Sequence, residues 1–103
     1  MNIINLVGYL GKEIVFSEKE GAKTAKVSLA TNEYYTEGGE KKQTTDWHNL
    51  VFKGNLAEAV NKFANKGSLI AITGKYRSVR QGDKTYNYVQ VTEYQLLGES
   101  QKE

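Results

Sequence analysis

Cysteine and proline are absent from the 103-residue sequence, and histidine and tryptophan occur once each. Without cysteine the chain has no disulfide framework, no thiolate nucleophile and no cysteine-ligated zinc site. A single histidine cannot build a multi-histidine metal site, although carboxylates could still hold a hard cation. We therefore expect neither a metal nor a cofactor.

Long hydrophobic runs and a strong net charge are also missing. Charged residues interrupt every apolar stretch well before the ~20 residues that a membrane-spanning helix needs. The first residues lack the basic and then apolar pattern of a secretory signal. We therefore expect no membrane association and a cytoplasmic location. The net charge of +2, from 14 Lys and Arg against 12 Asp and Glu, is too small to indicate nucleic-acid binding by itself.

Tyrosine is in surplus, with 7 residues against 3 phenylalanines and 1 tryptophan. A core alone favours phenylalanine, because a buried tyrosine must find a partner for its hydroxyl group. We therefore expect some of these rings at a surface that is wet on one side. The length fits one domain, which we place at residues 1–98, followed by a short polar tail at residues 99–103.

Most of the chain has the alternating pattern of half-buried strands, which is clearest over residues 23–31. A Gly-Gly loop joins two such runs and predicts a long hairpin. One amphipathic helix is expected at about residues 56–66, with Asn55 as its N-cap and Gly67 just after its end. Three strands, a helix and two strands is the order of the OB-fold. The predicted fold is therefore an all-β, five-stranded Greek-key barrel with one short helix between strands 3 and 4.

Residue patterns that support enzymatic chemistry are nearly absent. His48 shares its strand face with apolar residues, so a packed or interface histidine is favoured over a catalytic one. No pair of carboxylates has a spacing that singles it out. The glycines at positions 8 and 11 are not followed by the helix that a phosphate-binding loop requires. We therefore expect no enzymatic activity.

The strand that contains the tryptophan has one polar face. Alternation places His48 and the two apolar residues that follow it at alternate positions on the opposite face from Trp47, Asn49 and Lys53. An exposed indole beside a polar side chain and a lysine suits base stacking next to a phosphate contact, which binds single strands with little sequence preference. The alternative is that Trp47 packs under a loop or in an oligomer interface.

Basic residues lie on the elements around this face. OB-folds bind ligands on the face of strands two and three, between the loops that follow strands one and four. The alternative is that these cations are ordinary solvated side chains. They are Lys23, Lys26, Lys41, Lys42, Lys75, Arg77, Arg80 and Lys84.

Several segments resemble, in order, the bacterial single-stranded DNA-binding protein family. They are NLVGYLG at 5–11, LATNE at 29–33, TDWHNLV at 45–51, GNLAE at 54–58, KGS at 66–68, ITG at 72–74 and QLLG at 95–98. The resemblance covers about residues 2–98. It implies the OB-fold, sequence-tolerant binding and protection of single-stranded DNA in replication, recombination or repair, no catalysis, and a homotetramer.

The resemblance also implies roles for individual residues. Trp47 and Tyr35 match stacking aromatics of the family, and Tyr34 lies beside the second of these. His48 matches a subunit-interface residue, and we expect Tyr76 at the oligomer interface as well. For contacts to phosphates or polar groups of DNA we expect Lys53, Asn49, Arg77, Arg80, Lys75, Lys84 and Lys26.

The sequence departs from the family at two kinds of position. Lys53 and Gln81 stand at or near places where the family has stacking aromatics, and Tyr76, Tyr86 and Tyr88 are the candidates to compensate. The family's linker and acidic C-terminal tip are missing, so we do not expect partners to be recruited through that tip. The chain is then either a shortened piece or a naturally short version encoded by a bacterium, a phage or a mobile element.

Two other functions remain open. The loss of two aromatics and the small net charge would also fit an OB-fold that scaffolds a replication complex and barely touches DNA. An enzymatic or saccharide-binding OB-fold is the second alternative, and the lack of an acid–base pair or metal cluster argues against it.

Overall fold

Six strands and one helix make up the structure, a computed structural model that describes residues 1–98. The expected polar tail at 99–103 lies outside the described residues, and the domain boundary at residue 98 stays a prediction. In chain order the elements are β1 (Ile4–Leu10), β2 (Val15–Lys19), β3 (Ala22–Glu37), β4 (Glu40–Lys53), α1 (Asn55–Phe63), β5 (Leu69–Gln81) and β6 (Lys84–Gly98).

Five of the strands close into a barrel. The sheet order is β1-β5-β6-β4-β3-β2, and a further pairing of β1 with β3 closes the ring and leaves β2 outside it. The closing contact joins Tyr9 to Ala30 and Leu10 to Leu29. All strand pairs are antiparallel except β4 with β6. The helix lies between the third and fourth barrel strands, so the predicted all-β OB-fold is confirmed.

The strand outside the barrel, β2, was not predicted from the sequence. It pairs with the start of β3, from Val15 opposite Lys26 to Lys19 opposite Ala22. Four of its five residues are exposed, so it has no apolar face that could signal a strand. Its order comes from hydrogen bonds to β3 and from a turn at Glu20 and Gly21 in which both residues have positive φ.

The core consists of alternate residues from the barrel strands, as the period-2 pattern predicts. Ala25 and Leu29 of β3, and Leu50 and Phe52 of β4, are all fully buried at 0% exposure. Tyr94 of β6 packs edge-on against Phe52 with ring centroids 5.7 Å apart. Burial raises the pKa of the Tyr94 hydroxyl. The opposite faces of the same strands are therefore free to form a surface site.

The helix differs at both ends from the expected one. It begins at Asn55, after Gly54 with φ of 66°, and no side chain caps it. The expectation that Asn55 is the N-cap is therefore wrong, because Gly54 occupies the N-cap position and Asn55 is the first residue of the helix. Glu58, in the first turn of the helix, pairs with Lys23 of β3 at 3.0 Å. The helix ends at Phe63, and the N–H of Gly67 donates to the Leu10 carbonyl at 2.7 Å.

Two long hairpins extend beyond the barrel. The pairing of β3 with β4 continues to Glu37 opposite Glu40, and that of β5 with β6 to Gln81 opposite Lys84. We call residues 32–46 the β3–β4 arm and residues 75–87 the β5–β6 arm; every residue of both is exposed. The arms give the chain its elongated extents of 55 × 41 × 25 Å.

A glycine in β1 permits the barrel to close, and this can be tested. A Cβ added at Gly8 would lie 2.1 Å from the main-chain oxygen of Ala30. Since that atom belongs to the strand that closes the barrel, we expect Gly8→Ala to lower the free energy of unfolding by about 2–3 kcal/mol. Urea denaturation measures the change.

The matched control is Gly98→Ala, where the nearest atom to an added Cβ is Leu69 Cβ at 3.9 Å. We expect that variant to unfold at the denaturant midpoint of the unmodified chain. Equal midpoints for the two variants would contradict the proposed close approach of β1 and β3.

Candidate nucleic-acid interface

An open groove of about 690 Å³ lies on the outer face of β3 and β4. One wall is the loop after β1 together with the start of β2, and the other is the β5–β6 hairpin. This position, on the second and third barrel strands between the loops after the first and fourth, is where OB-folds bind ligands. Its floor and walls include Lys12, Glu13, Thr24, Lys26, Ser28, Asn49, Val51, Lys53, Val79, Gln81, Tyr86 and Tyr88.

The register of β3 with β4 assembles the groove floor. Residues opposite each other in an antiparallel pair project to the same side. Lys26 lies opposite Val51, and Ser28 lies opposite Asn49. The expected polar residues Asn49, Lys53 and Lys26 therefore share one surface, and all three line the groove.

Trp47 continues this face one step beyond Asn49. It lies opposite Ala30 and is 60% exposed, whereas Leu50 and Phe52, on the other face of the same strand, are buried in the core. Its six-membered ring lies against the main chain of Gly11 in the loop after β1. The next residue, Lys12, lines the groove. The tryptophan thus touches a loop and still presents most of its surface to solvent.

The two adjacent tyrosines of β3 lie on opposite faces of the β3–β4 arm. Tyr34 is opposite Gln43, and Tyr35 is opposite Lys42. Alternation along β3 places Tyr34 on the face of Trp47 and Tyr35 on the face of His48. Both rings are open to solvent, with 72% and 45% exposure. The structure therefore brings only the first of the two onto the groove side.

The expected cations of the β5–β6 hairpin divide in the same way. Lys75 and Arg77 share the strand face of Val79 and Gln81, which line the groove. Lys84 lies opposite Gln81 and is on this face too. Arg80 lies opposite Thr85 on the other face. The register thus directs Arg80 away from the groove wall.

The two residues expected at an oligomer interface are both off the groove. His48 is half-buried, with Nε2 2.9 Å from the hydroxyl oxygen of Thr31. Tyr76 is 49% exposed. Its N–H donates to Asn2 Oδ1 at 2.9 Å, and Asn2 Nδ2 donates to its carbonyl at 2.8 Å. Their role in assembly stays a prediction.

Sequence reasoning left open which tyrosines face the groove, and the structure identifies Tyr86 and Tyr88. Val89, the residue after Tyr88 in β6, is buried in the core at 3% exposure. Because side chains alternate in a strand, an inward Val89 sends Tyr88 and Tyr86 outward. The alternation of Val89 and Val91 was thus the available signal. Lys12 was also missed, since a loop residue has no periodic neighbours.

The groove is suited to binding through stacking and charge. Its lining has three lysines, two tyrosines and a single carboxylate, from Glu13, among the residues that the structure describes.

Within residues 1–98, no group of three or more His, Cys, Asp and Glu side chains could hold a metal ion. No helix in that range is long and apolar enough to cross a membrane.

The closed barrel, the position of its helix and the groove on its second and third strands define an OB-fold binding protein. The Single-strand binding protein family model matches residues 1–99. The chain belongs to this family.

Two relatives are similar over nearly the whole chain. Single-stranded DNA-binding protein 1 of Xylella fastidiosa (strain 9a5c) is 36% identical over 109 residues, covering 98% of this chain and 80% of that protein. A solved structure described as a Plasmodium falciparum SSB complex with ssDNA superposes with a TM-score of 0.80 at 27% identity. That match covers 94% of this chain and 95% of the other.

The exposure of Trp47 can be measured directly, since it is the only tryptophan. We expect red-shifted emission from the folded chain, and acrylamide quenching nearly as efficient as that of the denatured chain. A blue-shifted, poorly quenched emission would instead mean that another copy or a loop covers the ring. Trp47→Phe, which removes the signal, is the control for background fluorescence from tyrosine.

Proposed function

We propose that this chain binds single-stranded DNA without sequence preference and protects it during replication, recombination or repair. The observation that carries the proposal is the exposed Trp47 on the same strand face as Asn49 and Lys53, both of which line the groove. Family membership and the likeness to a complex with ssDNA support it. In this proposal the chain catalyses no reaction, and it acts in the cytoplasm of a bacterial cell.

Stacking supplies the sequence-tolerant part of the binding. Every base has a π-face, and each base stacked on an aromatic side chain contributes about 1–3 kcal/mol. Trp47 stacks at one end of the floor, and Tyr88 and Tyr86 stack from the β5–β6 wall. These two tyrosines offset the loss of aromatics at Lys53 and Gln81. The compensating rings come from the β5–β6 hairpin, which forms one wall of the groove.

Phosphate contacts come from two sets of cations. Lys12, Lys26 and Lys53 lie in the groove, with Glu13 as the single carboxylate among the described lining residues. Lys75, Arg77 and Lys84 extend the positive surface along the β5–β6 arm. Their interaction with DNA is electrostatic, so affinity falls as the salt concentration rises. Clustering of charge, and not the net charge of +2, attracts the strand.

The β3–β4 arm carries DNA that continues beyond the groove. Tyr34 extends the face of Trp47, whereas Tyr35 and its neighbour Lys42 lie on the opposite face of the arm. A strand that fills only the groove does not reach Tyr35. A longer strand that turns around the arm can stack on it, and Arg80 similarly contacts DNA only from the far side of its hairpin.

The chain also forms a homotetramer in this proposal. Val7 and Tyr9 of β1 and Leu97 of β6 are 57%, 50% and 48% exposed, on strands that neighbour one another through β5. Exposed apolar residues clustered on one part of a sheet mark a surface for association. A second copy is the proposed occupant, because closed symmetric assembly covers such a face on every subunit. His48 and Tyr76 are proposed to support the assembly.

The central test is titration with oligo-dT. Stacking should quench Trp47 fluorescence, and log affinity should fall linearly with log salt, by about 0.7 for each phosphate contacted. Trp47→Ala should weaken binding by about 5- to 150-fold, which corresponds to one stacked base. Phe63→Ala, on the helix and remote from the groove, is the control.

Two outcomes would contradict the proposal. Unchanged Trp47 emission with stoichiometric oligo-dT would exclude stacking. Failure to retain any oligonucleotide in filter binding at about 20 mM salt, where phosphate contacts are weakly screened, would favour the protein-scaffold alternative.

The two faces of the arm make a length-dependent prediction. With oligo-dT of about 8 nucleotides, which fits one OB-fold, Tyr88→Ala should weaken binding while Tyr35→Ala should have little effect. With a strand about four times longer, both variants should weaken it. Fluorescence anisotropy of labelled oligonucleotides measures the affinities. An equal loss for Tyr35→Ala at both lengths would place that ring in the groove, contrary to the register.

Assembly is tested by light scattering coupled to size exclusion. We expect a tetramer for the unmodified chain and a smaller species for Tyr9→Glu, since a charge in a buried apolar contact is costly. Phe63→Glu introduces the same charge at a 58% exposed residue of the helix and should leave the mass unchanged. A monomeric unmodified chain would refute the assembly proposal and leave the DNA-binding proposal standing.

A further inference from the structure

The indole of Trp47 leaves no room for a side chain at Gly11. A Cβ placed on Gly11 would lie 2.2 Å from Cζ3, 2.8 Å from Cη2 and 3.3 Å from Cε3 of the indole. The atoms of the ring that is proposed to stack on a base thus occupy the space that any other residue at position 11 would need. The indole lies directly on main chain.

Backbone conformation does not explain the glycine. Six glycines of the described chain have positive φ, and Gly11 is not one of them. Its backbone conformation is therefore available to alanine without the strain of the left-handed region. The requirement for glycine at this position comes from the indole.

The backbone at Gly11 is also held in place. Its N–H donates to the Ser28 carbonyl at 2.9 Å. The preceding Leu10 donates to the Ser68 carbonyl at 2.9 Å and accepts from the Gly67 N–H at 2.7 Å. With three hydrogen bonds around it, the loop cannot retreat from a larger side chain at low cost. The exposed indole, on a flexible side chain, is the part that would move.

We infer that Gly11 is a positioning residue for Trp47, and that its missing side chain sets the orientation in which the indole receives a base. The inference rests on the proposed function. A ring that is held before binding loses less conformational freedom when the base arrives. The same loop continues to Lys12 in the groove wall, so the loop that orients the stacking ring also supplies a cation beside it.

The test is Gly11→Ala in the full chain, with Gly98→Ala as a glycine-to-alanine control at which the added Cβ makes only an ordinary van der Waals contact. In the absence of DNA, Gly11→Ala should change the near-ultraviolet circular dichroism and the emission maximum of Trp47, because the ring must leave its position. It should weaken oligo-dT binding by about 5- to 30-fold, within the range of one stacking contact. Unchanged Trp47 spectra and affinity would overturn the inference.

A second background separates positioning from a general structural role. A phenylalanine ring is too short to reach the positions of Cζ3 and Cη2, so a methyl group at position 11 has room beside it. In the Trp47→Phe background, Gly11→Ala should therefore change affinity by less than about 2-fold. The effects of the two substitutions would then be non-additive in a double-mutant cycle. An equal loss in both backgrounds would mean that position 11 acts independently of the ring, and would overturn the inference.

The remaining outcomes are also decisive. If Gly11→Ala alone does not fold, recovery of folding in the double variant with Trp47→Phe upholds the ring contact, and failure to recover refutes it. If Trp47→Ala leaves DNA affinity unchanged, the proposed stacking function fails. The spectra of DNA-free Gly11→Ala would in that case still report whether Gly11 orients the indole.

Discussion

The pairing of β1 with β3 is the constraint on which the rest of the molecule depends. It turns an open sheet into a barrel and completes the burial of Leu10 and Leu29. The strands can approach only because Gly8 has no side chain to meet the Ala30 carbonyl. Closure also brings the loop after β1 to the outer face of β3 and β4. The groove wall and the main chain that supports Trp47 are thus consequences of the pairing that closes the barrel.

Strand periodicity allows one short chain to build a core and a binding surface from the same elements. Each of β3 and β4 sends alternate residues into the barrel and the intervening ones into the groove. The apolar half stabilises the fold, while the outer half is free to carry lysine, asparagine and tryptophan. Changes on the groove face should therefore alter binding with little effect on the core, and the proposed variants rely on this separation.

Predictions from the sequence were correct where one face of a strand is buried in the core. The five barrel strands, the helix between the third and fourth, and the outward direction of Trp47 all follow from residues that the barrel buries. The missed strand β2 has no buried face, and the N-cap of the helix is Gly54, which has no side chain to form a capping hydrogen bond. Tyr86 and Tyr88 could have been directed outward from the buried Val89. Within the exposed arms, where neither face is buried, alternation fixes which residues share a face but not which of the two faces the groove uses.

The sequence by itself determined the class of the fold, the family resemblance and the residue types available for stacking and charge, because these depend on local pattern and composition. Only the tertiary structure decided which side chains share a surface. It put Tyr34 with Trp47 and Tyr35 opposite, turned Arg80 away from the groove, and set Gly11 beneath the indole. The physical reason is that register and barrel closure join residues far apart in the chain, and a shift of one residue would move every side chain to the other face.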